Sequence, residues 1–242
     1  MMEKLCVVIP TYNNEGTLLQ VINDVKRYVP DVLVVNDGCT DRTSQLLADR
    51  TDIEVISYEK NKGKGYALKK GFEEARSRGY THVLTMDSDG QHFASDIPAF
   101  LEAHGCRPDA LLVGSRNLEA ENMPGGNTFA NKFSNFWFRI QTLQNLPDTQ
   151  TGYRLYPLRH FRRLWWLTNR YEAELELLVS AAWKGVELRP IPIQVYYPPM
   201  GERITHFRPR RDFLRITLLN TVLCILAIVY GGPRMLWNKL RR

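Results

Sequence analysis

Asp87-Ser88-Asp89-Gly90-Gln91-His92 sets two carboxylates one residue apart, directly after Thr81-His82-Val83-Leu84-Thr85-Met86, an apolar run that reads as a buried strand. Ligands of open α/β sheets gather at such carboxyl ends of strands. Side chains alternate along a strand, so Asp87 and Asp89 point the same way. Two same-side carboxylates repel unless positive charge lies between them. A hard divalent cation, Mg²⁺ or Mn²⁺, meets that need, and such ions also bind substrate phosphates. Gln91 offers an amide oxygen as a third ligand. An EF-hand does not fit, because Gly90 falls at loop position four and Pro98 at position twelve. A plain strand-end turn is the remaining alternative, since Asp, Ser and Gly are all turn residues.

The elements that must position these residues alternate in type. Leu5–Pro10, Asp31–Val35, Ile53–Tyr58, Thr81–Met86 and Ala110–Val113 read as strands. Gly16–Tyr28, Asp41–Asp49 (with Thr40 as N-cap) and Gly65–Arg78 read as helices. That alternation predicts an α/β protein with a mostly parallel central sheet. Polar clusters follow four of the strands: Pro10–Glu15, Asn36–Asp41, Asn61–Gly65 and Asp87–His92. Together they describe a binding crevice on one rim of the sheet. Asp37 suits a nucleobase N–H, and the amides around Gly38 and Gly63, with Lys62 and Lys64, suit a nucleotide. No G-x-G-x-x-G follows the first strand and no P-loop is present, which argues against dinucleotide and P-loop chemistry.

The 242 residues are 44% hydrophobic and 24% charged, ordinary for a globular chain. Cys6, Cys39, Cys106 and Cys224 form no C-x-x-C pair, which argues against zinc and a disulfide framework. The N-terminus passes straight into a strand-like run, so no secretory signal is expected. Of the net charge of +6, residues 201–242 carry nine Lys and Arg against Glu202 and Asp212, leaving the first 200 residues close to neutral. A neutral body with a basic tail is not the pattern of a nucleic-acid-binding domain. Phe213–Tyr230 is 18 residues with Arg215 as its one charge, and basic residues flank both ends. Flanking charge without asymmetry favours a helix in the membrane interface over one that spans.

The segments Val7–Glu15, Val34–Gly38, Asn61–Gly65 and Asp87–His92 resemble, in order and spacing, the family-2 glycosyltransferases. The likeness is nearest to polyprenyl-phosphate glycosyltransferases of the dolichyl-phosphate mannose synthase type, and covers about residues 5–210. It implies a GT-A fold, an inverting mechanism, a nucleotide-sugar donor and a lipid-linked acceptor at the cytoplasmic membrane face. The family's metal pair maps onto Asp87 and Asp89 with Gln91, its base-binding acid onto Asp37, and its early donor-binding residues onto Pro10, Tyr12 and Glu15. Asn36 and Cys39 depart from the commoner Asp and Ser.

Asp148-Thr149-Gln150-Thr151-Gly152-Tyr153-Arg154 resembles the family's acceptor-side motif. Arg116 and Arg154 are planar donor forks suited to phosphate. Asp148 is the candidate base if the acceptor is a hydroxyl. Glu172 and Glu174 open a helix through Trp183, where acids also favour the helix N-terminus. Gly201–Arg208 resembles a closing loop over the donor diphosphate that contributes Arg203. Residues 1–212 are expected to form the catalytic domain and 213–242 a membrane-associated segment. A hydroxyl acceptor and a non-catalytic nucleotide-sugar-binding module are the alternative readings.

Overall fold

The computed structural model describes residues 3–117, 125–162, 167–197 and 209–240; for 125–129 and 209–213 it describes the backbone. Seven strands form one sheet: β1 (Leu5–Thr11), β2 (Val32–Asn36), β3 (Glu54–Ser57), β4 (His82–Thr85), β5 (Leu111–Arg116), β6 (Arg154–Pro157) and β7 (Leu188–Ile193). Their order is β3-β2-β1-β4-β6-β5-β7, with β6 antiparallel to both neighbours and every other pairing parallel. The parallel pairing brings the carboxyl ends of β1, β2, β3 and β4 to one rim, as the alternation required.

The central strands are buried on both faces. Along β1, Cys6 and Val8 enter one core while Val7 and Ile9 enter the other, the period-two alternation of a pleated strand. Helices α1 (Leu18–Lys26) and α4 (Ile97–Cys106) supply Leu18, Ile22, Val25, Ile97 and Phe100 to the second core. Helices α3 (Lys64–Ser77) and α6 (Glu172–Trp183) cover the first. Short helix α2 (Thr43–Ala48) follows β2. Thr40 does not cap it; the Asp41 carboxylate accepts from Thr43 N at 3.0 Å instead.

A third layer lies outside α6. Helix α5 (Gly125–Thr142) and a C-terminal run made of α7 (Pro209–Leu226), a π-helical turn (Ala227–Gly231) and α8 (Gly232–Leu240) pack against it. Nearly every residue of α6 is buried, its three glutamates included. Gly231 sits against the Trp183 indole, where a Cβ would fall 2.4 Å from the ring. A side chain there must lift the C-terminal helix off α6, so Gly231→Leu is expected to lower thermal stability. The cost is about 1–3 kcal/mol, the usual penalty of overpacking, and a melting curve reads it.

Candidate active site

The Asp87–His92 turn is fixed from beneath. Asn14 Nδ2 donates to Ser88 Oγ at 2.8 Å, and Thr17 Oγ1 donates to Ser88 O at 2.6 Å. Gln91 N donates to Asp89 Oδ1 at 3.0 Å. Gly90 takes φ +75°, the left-handed turn that lets the chain reverse after the two aspartates. On the far side, Tyr196 N donates to Gln91 O at 2.8 Å.

Asp87 is ion-paired. The Lys64 ammonium, from the first turn of α3, lies 2.6 Å from Asp87 Oδ1 and 3.0 Å from Glu174 Oε2, from the first turn of α6. Gly152 closes over this pair: a Cβ there would stand 2.6 Å from both Asp87 Oδ2 and Lys64 Nζ. Burial pushes the Asp87 carboxyl up, but Lys64 more than offsets it and holds it below the ordinary range. Burial raises Glu174, with Lys64 and Arg154 opposing. Asp89 has no such counter-charge. Burial, and next the charge of Asp87, push its carboxyl up to about 6. Beside it, burial pushes His92 down to about 4, so the ring is neutral near pH 7.

The pair is therefore asymmetric, with one carboxylate ion-paired and the other not. Asp89 faces the pocket with its negative charge uncompensated, and the donor set is oxygen throughout. Among the described residues no group of three or more His, Cys, Asp and Glu is gathered to hold a metal by itself. Two carboxylates and an amide oxygen fit a hard cation that keeps water and substrate oxygens as its remaining ligands.

The nucleotide-side candidates share the same rim, tied loop to loop. Asp37, 3% exposed, accepts from Lys62 N and Gly63 N at 2.8 Å each and from Asn61 Nδ2 at 2.9 Å. Three of its roughly four acceptor positions thus brace the loop after β3, leaving about one for a ligand. Gly38, at φ +66°, lets that loop approach: a Cβ would meet Asn61 N at 2.6 Å. Glu15 accepts from Arg42 N at 2.9 Å and pairs with the Arg42 guanidinium. Pro10, near the end of β1, is buried against β2. Tyr12 follows on the loop after β1.

The acceptor-side candidates are more internal than their residue types suggest. Arg154 is fully buried on β6, donating to Glu174 O at 2.7 Å, Thr149 O at 3.0 Å and Tyr156 Oη at 3.3 Å. Its guanidinium braces the wall behind Glu174 and does not open into the crevice. Asp148, also fully buried, accepts from Arg116 Nε at 2.6 Å, Arg116 Nη2 at 3.0 Å, Asn131 Nδ2 at 2.6 Å and Gln150 N at 3.0 Å. Burial would raise that carboxyl; the Arg116 fork overrides it and lowers it. A carboxylate so occupied orients Arg116 and is poorly suited to take a proton. Arg203 and the Gly201–Arg208 loop lie outside the described residues.

Sequence reasoning gave Lys64 to the nucleotide; the fold sets it between Asp87 and Glu174. It read Glu174 as a helix-end acid. The signal available was a second acid in the first turn of a helix otherwise apolar enough to be buried, since a buried carboxylate needs a partner.

Residues 6–165 match the family model described as Glycosyl transferase family 2. The chain is 28% identical to undecaprenyl-phosphate mannosyltransferase of Micrococcus luteus, over 82% of this chain and 86% of that protein. It is 26% identical to UDP-N-acetylglucosamine–dolichyl-phosphate N-acetylglucosaminyltransferase of Methanococcus voltae, over 81% and 88%. In fold it is similar to glucosyl-3-phosphoglycerate synthase of Mycobacterium tuberculosis, solved with Mn²⁺, UDP and phosphoglyceric acid, at TM-score 0.65 and 16% identity over 95% of this chain and 78% of that one. That architecture is the GT-A fold.

Two predictions follow from the charge cluster. A carboxyl raised in the fold favours folding of its protonated form, so ionised Asp89 costs stability. The cost begins above about pH 4 and is complete above about pH 6. Asp89→Asn is therefore expected to raise the melting temperature of chelator-treated protein at pH 7.5, by about 1–3 kcal/mol in free energy, and to be neutral at pH 4. Mn²⁺ should stabilise the wild type and not the variant. Gly152→Ala forces Asp87 and Lys64 apart and is expected to destabilise the fold by about 1–3 kcal/mol, read by urea unfolding.

Proposed function

The chain belongs to glycosyl transferase family 2, and we propose that it moves a sugar from a nucleotide-sugar donor to a polyprenyl-phosphate acceptor, with inversion, at the cytoplasmic face of a membrane. It is a glycosyltransferase. The observation that carries the finer reading is the Asp87/Asp89 pair at the strand rim, one member neutralised by Lys64 and the other left to a ligand. Two relatives named for undecaprenyl-phosphate and dolichyl-phosphate acceptors support the acceptor class.

Asp87, Asp89 and Gln91 would hold a divalent cation, which when bound supplies Lewis-acid neutralisation at the leaving diphosphate. Lys64 fixes the Asp87 carboxylate for that task and keeps it ionised. Pro10, Tyr12, Glu15, Asp37 and Gly38 would take the nucleoside, through one remaining acceptor on Asp37 and the backbone around it. Arg116, aligned by Asp148, carries a guanidinium at the acceptor side. Arg203 would close over the diphosphate from its loop, an electrostatic contribution as charge develops on the leaving group.

The state of Asp148 favours a phosphate nucleophile over a hydroxyl. A hydroxyl must lose a proton to a base as it attacks, and the candidate base is held ionised by Arg116 with its oxygens already accepting five hydrogen bonds. A phosphate monoester is anionic near neutral pH and needs no such help.

The test is transfer of labelled sugar from a panel of nucleotide sugars to vesicle-borne polyprenyl phosphate and, in parallel, to the matching polyprenol. Transfer to the phosphate alone is expected, with Asp89→Ala slower by about 10³-fold or more, the scale of losing a main electrostatic group, and a cooperative unfolding transition retained. Equal transfer to the alcohol overturns the acceptor class. Full activity in excess chelator overturns the cation. Arg203→Ala is expected to lower kcat more than it weakens nucleotide binding, because its partner charge grows in the transition state.

A further inference from the structure

The C-terminal helix passes the length and composition criterion for crossing a membrane: Leu214–Leu240 is 27 residues with a mean hydropathy of 1.9 in its most apolar window. Its packing points elsewhere. Leu219 and Leu223 are buried in the core formed with α6. Asn220 Oδ1 accepts from Gln141 Nε2 of α5 at 2.9 Å. Gly231 rests on Trp183, and Asn238 Nδ2 donates to Trp183 O at 3.2 Å. These contacts run from residue 219 to residue 238, about 29 Å at 1.5 Å per residue. That is the whole thickness of a hydrocarbon core, about 30 Å. A helix joined to the domain along that length cannot stand across a bilayer unless α5 and α6, with Glu172, Glu174 and Glu176, enter it too. Buried charge of that kind is costly in hydrocarbon.

The opposite face of the same helix is apolar and open. Leu214, Leu218, Ile225, Val229, Leu236 and Leu240 are each more than half exposed and follow one another at intervals of four and seven residues. They stand on the side of the run turned away from α6, before, within and after its π-helical turn. On α5, Phe136 and Ile140, four residues apart, are exposed, and Leu143, just past the end of the helix at φ +56°, is 82% exposed. Both helices lie in the layer outside α6, and each shows α6 its other face. Exposed Lys132 and Arg139 on α5 and Arg234 and Lys239 on the C-terminal run border the stripes, and neither α5 nor residues 214–240 contain an acid.

We propose that α5 and the C-terminal helix together form one membrane-facing surface that lies flat in the interface of an anionic bilayer, with Phe136 and Ile140 of α5 and Leu143 just after it sharing the apolar contact. The occupant is a lipid surface because the exposed apolar groups of two helices that touch each other share a basic border, the composition of interfacial helices. A second copy of this chain would bring the same basic border against itself, which charge repulsion opposes. The inference deepens the reading of a membrane-borne acceptor and rests on it.

Flotation of the full chain with vesicles of phosphatidylcholine, with and without phosphatidylglycerol, tests the surface. Partition is expected to strengthen with phosphatidylglycerol, to weaken with salt, and to be reversed by alkaline carbonate. Phe136→Glu with Ile140→Glu, both on α5 and outside the catalytic machinery, are expected to lower partition about tenfold or more at unchanged melting temperature and nucleotide binding. A second measurement does not depend on those variants folding. Leu143→Cys in a background with Cys39, Cys106 and Cys224 changed to Ala, labelled with an environment-sensitive dye, is expected to shift to the blue on anionic vesicles, and the background protein to show no such shift. Resistance to carbonate overturns the interfacial reading. Unchanged partition of the α5 double variant, or no dye shift at position 143, overturns the shared surface, as does self-association that accounts for burial of that label without lipid. Normal flotation without any sugar transfer leaves the surface standing and defeats the glycosyltransfer reading instead.

Discussion

One ammonium group holds the site together. Lys64 is bound between Asp87 and Glu174, residues drawn from the ends of a strand and a helix far apart in sequence. Each carboxylate, left alone at that depth, would protonate or distort its surroundings, because burial disfavours charge. With the lysine between them, Asp87 stays ionised at the rim. With Asp89 ionised, three carboxylates stand against one ammonium, two positive charges short. On the reading proposed above, a divalent cation would make up that deficit. Gly152 is the steric condition for the arrangement, since its missing side chain gives the three charged groups their space.

The parallel half of the fold is legible because its signals are local. Each strand is a short Val- and Ile-rich run, each helix shows its apolar spacing, and each polar cluster falls at a strand end. β6 is not legible in that way. It is four residues long, it contains Arg154, and it runs antiparallel between β4 and β5. An arginine inside a fully buried strand makes sense only with Glu174 O and Thr149 O beside it, and both are brought there by tertiary structure. Helix α4 is hidden for another reason. It begins with a proline in its first turn and carries a glycine near its end, features that read as loop in isolation. β7 stops at Ile193; beyond it Val195 makes an isolated bridge to His92, and Tyr196 N donates to Gln91 O.

The candidate residues divide along the same line. Asp87 and Asp89 are readable because their chemistry follows from their own spacing. Asp37, Asp148, Arg116 and Arg154 carry the residue types of a ligand site, and in the fold much of their hydrogen-bonding capacity is used within the chain. A charged residue near a motif has two possible employers, the ligand and the scaffold. Only the donors and acceptors around it tell them apart, and these come from loops remote in sequence. For Asp148 the distinction has a chemical consequence, because a carboxylate held ionised by Arg116 is a weak proton acceptor and turns the reading toward an acceptor that arrives as an anion.

Helix α5 connects that acceptor side to the outer layer. On its inner face Asn131 Nδ2 donates to Asp148 Oδ1 at 2.6 Å, Ser134 Oγ and Thr149 Oγ1 lie 2.7 Å apart, and Asn135 Nδ2 donates to Pro147 O at 2.6 Å. On its outer face stand Phe136 and Ile140, with Leu143 just past its end. A helix with its side chains is about 10–12 Å across. If the outer face rests in the headgroup region, the Asp148–Arg116 pair lies about one helix diameter from it. A phosphate on a lipid chain is confined to that same depth. On the proposed reading the helix would act as a spacer, its inner polar residues fixing Arg116 through Asp148 and its outer apolar residues setting the height of the domain above the lipid. Its composition fits the two tasks: amides and hydroxyls at 131, 134 and 135 where a buried carboxylate and a tight loop need donors, and large apolar groups at 136 and 140 where burial against the domain does not explain them.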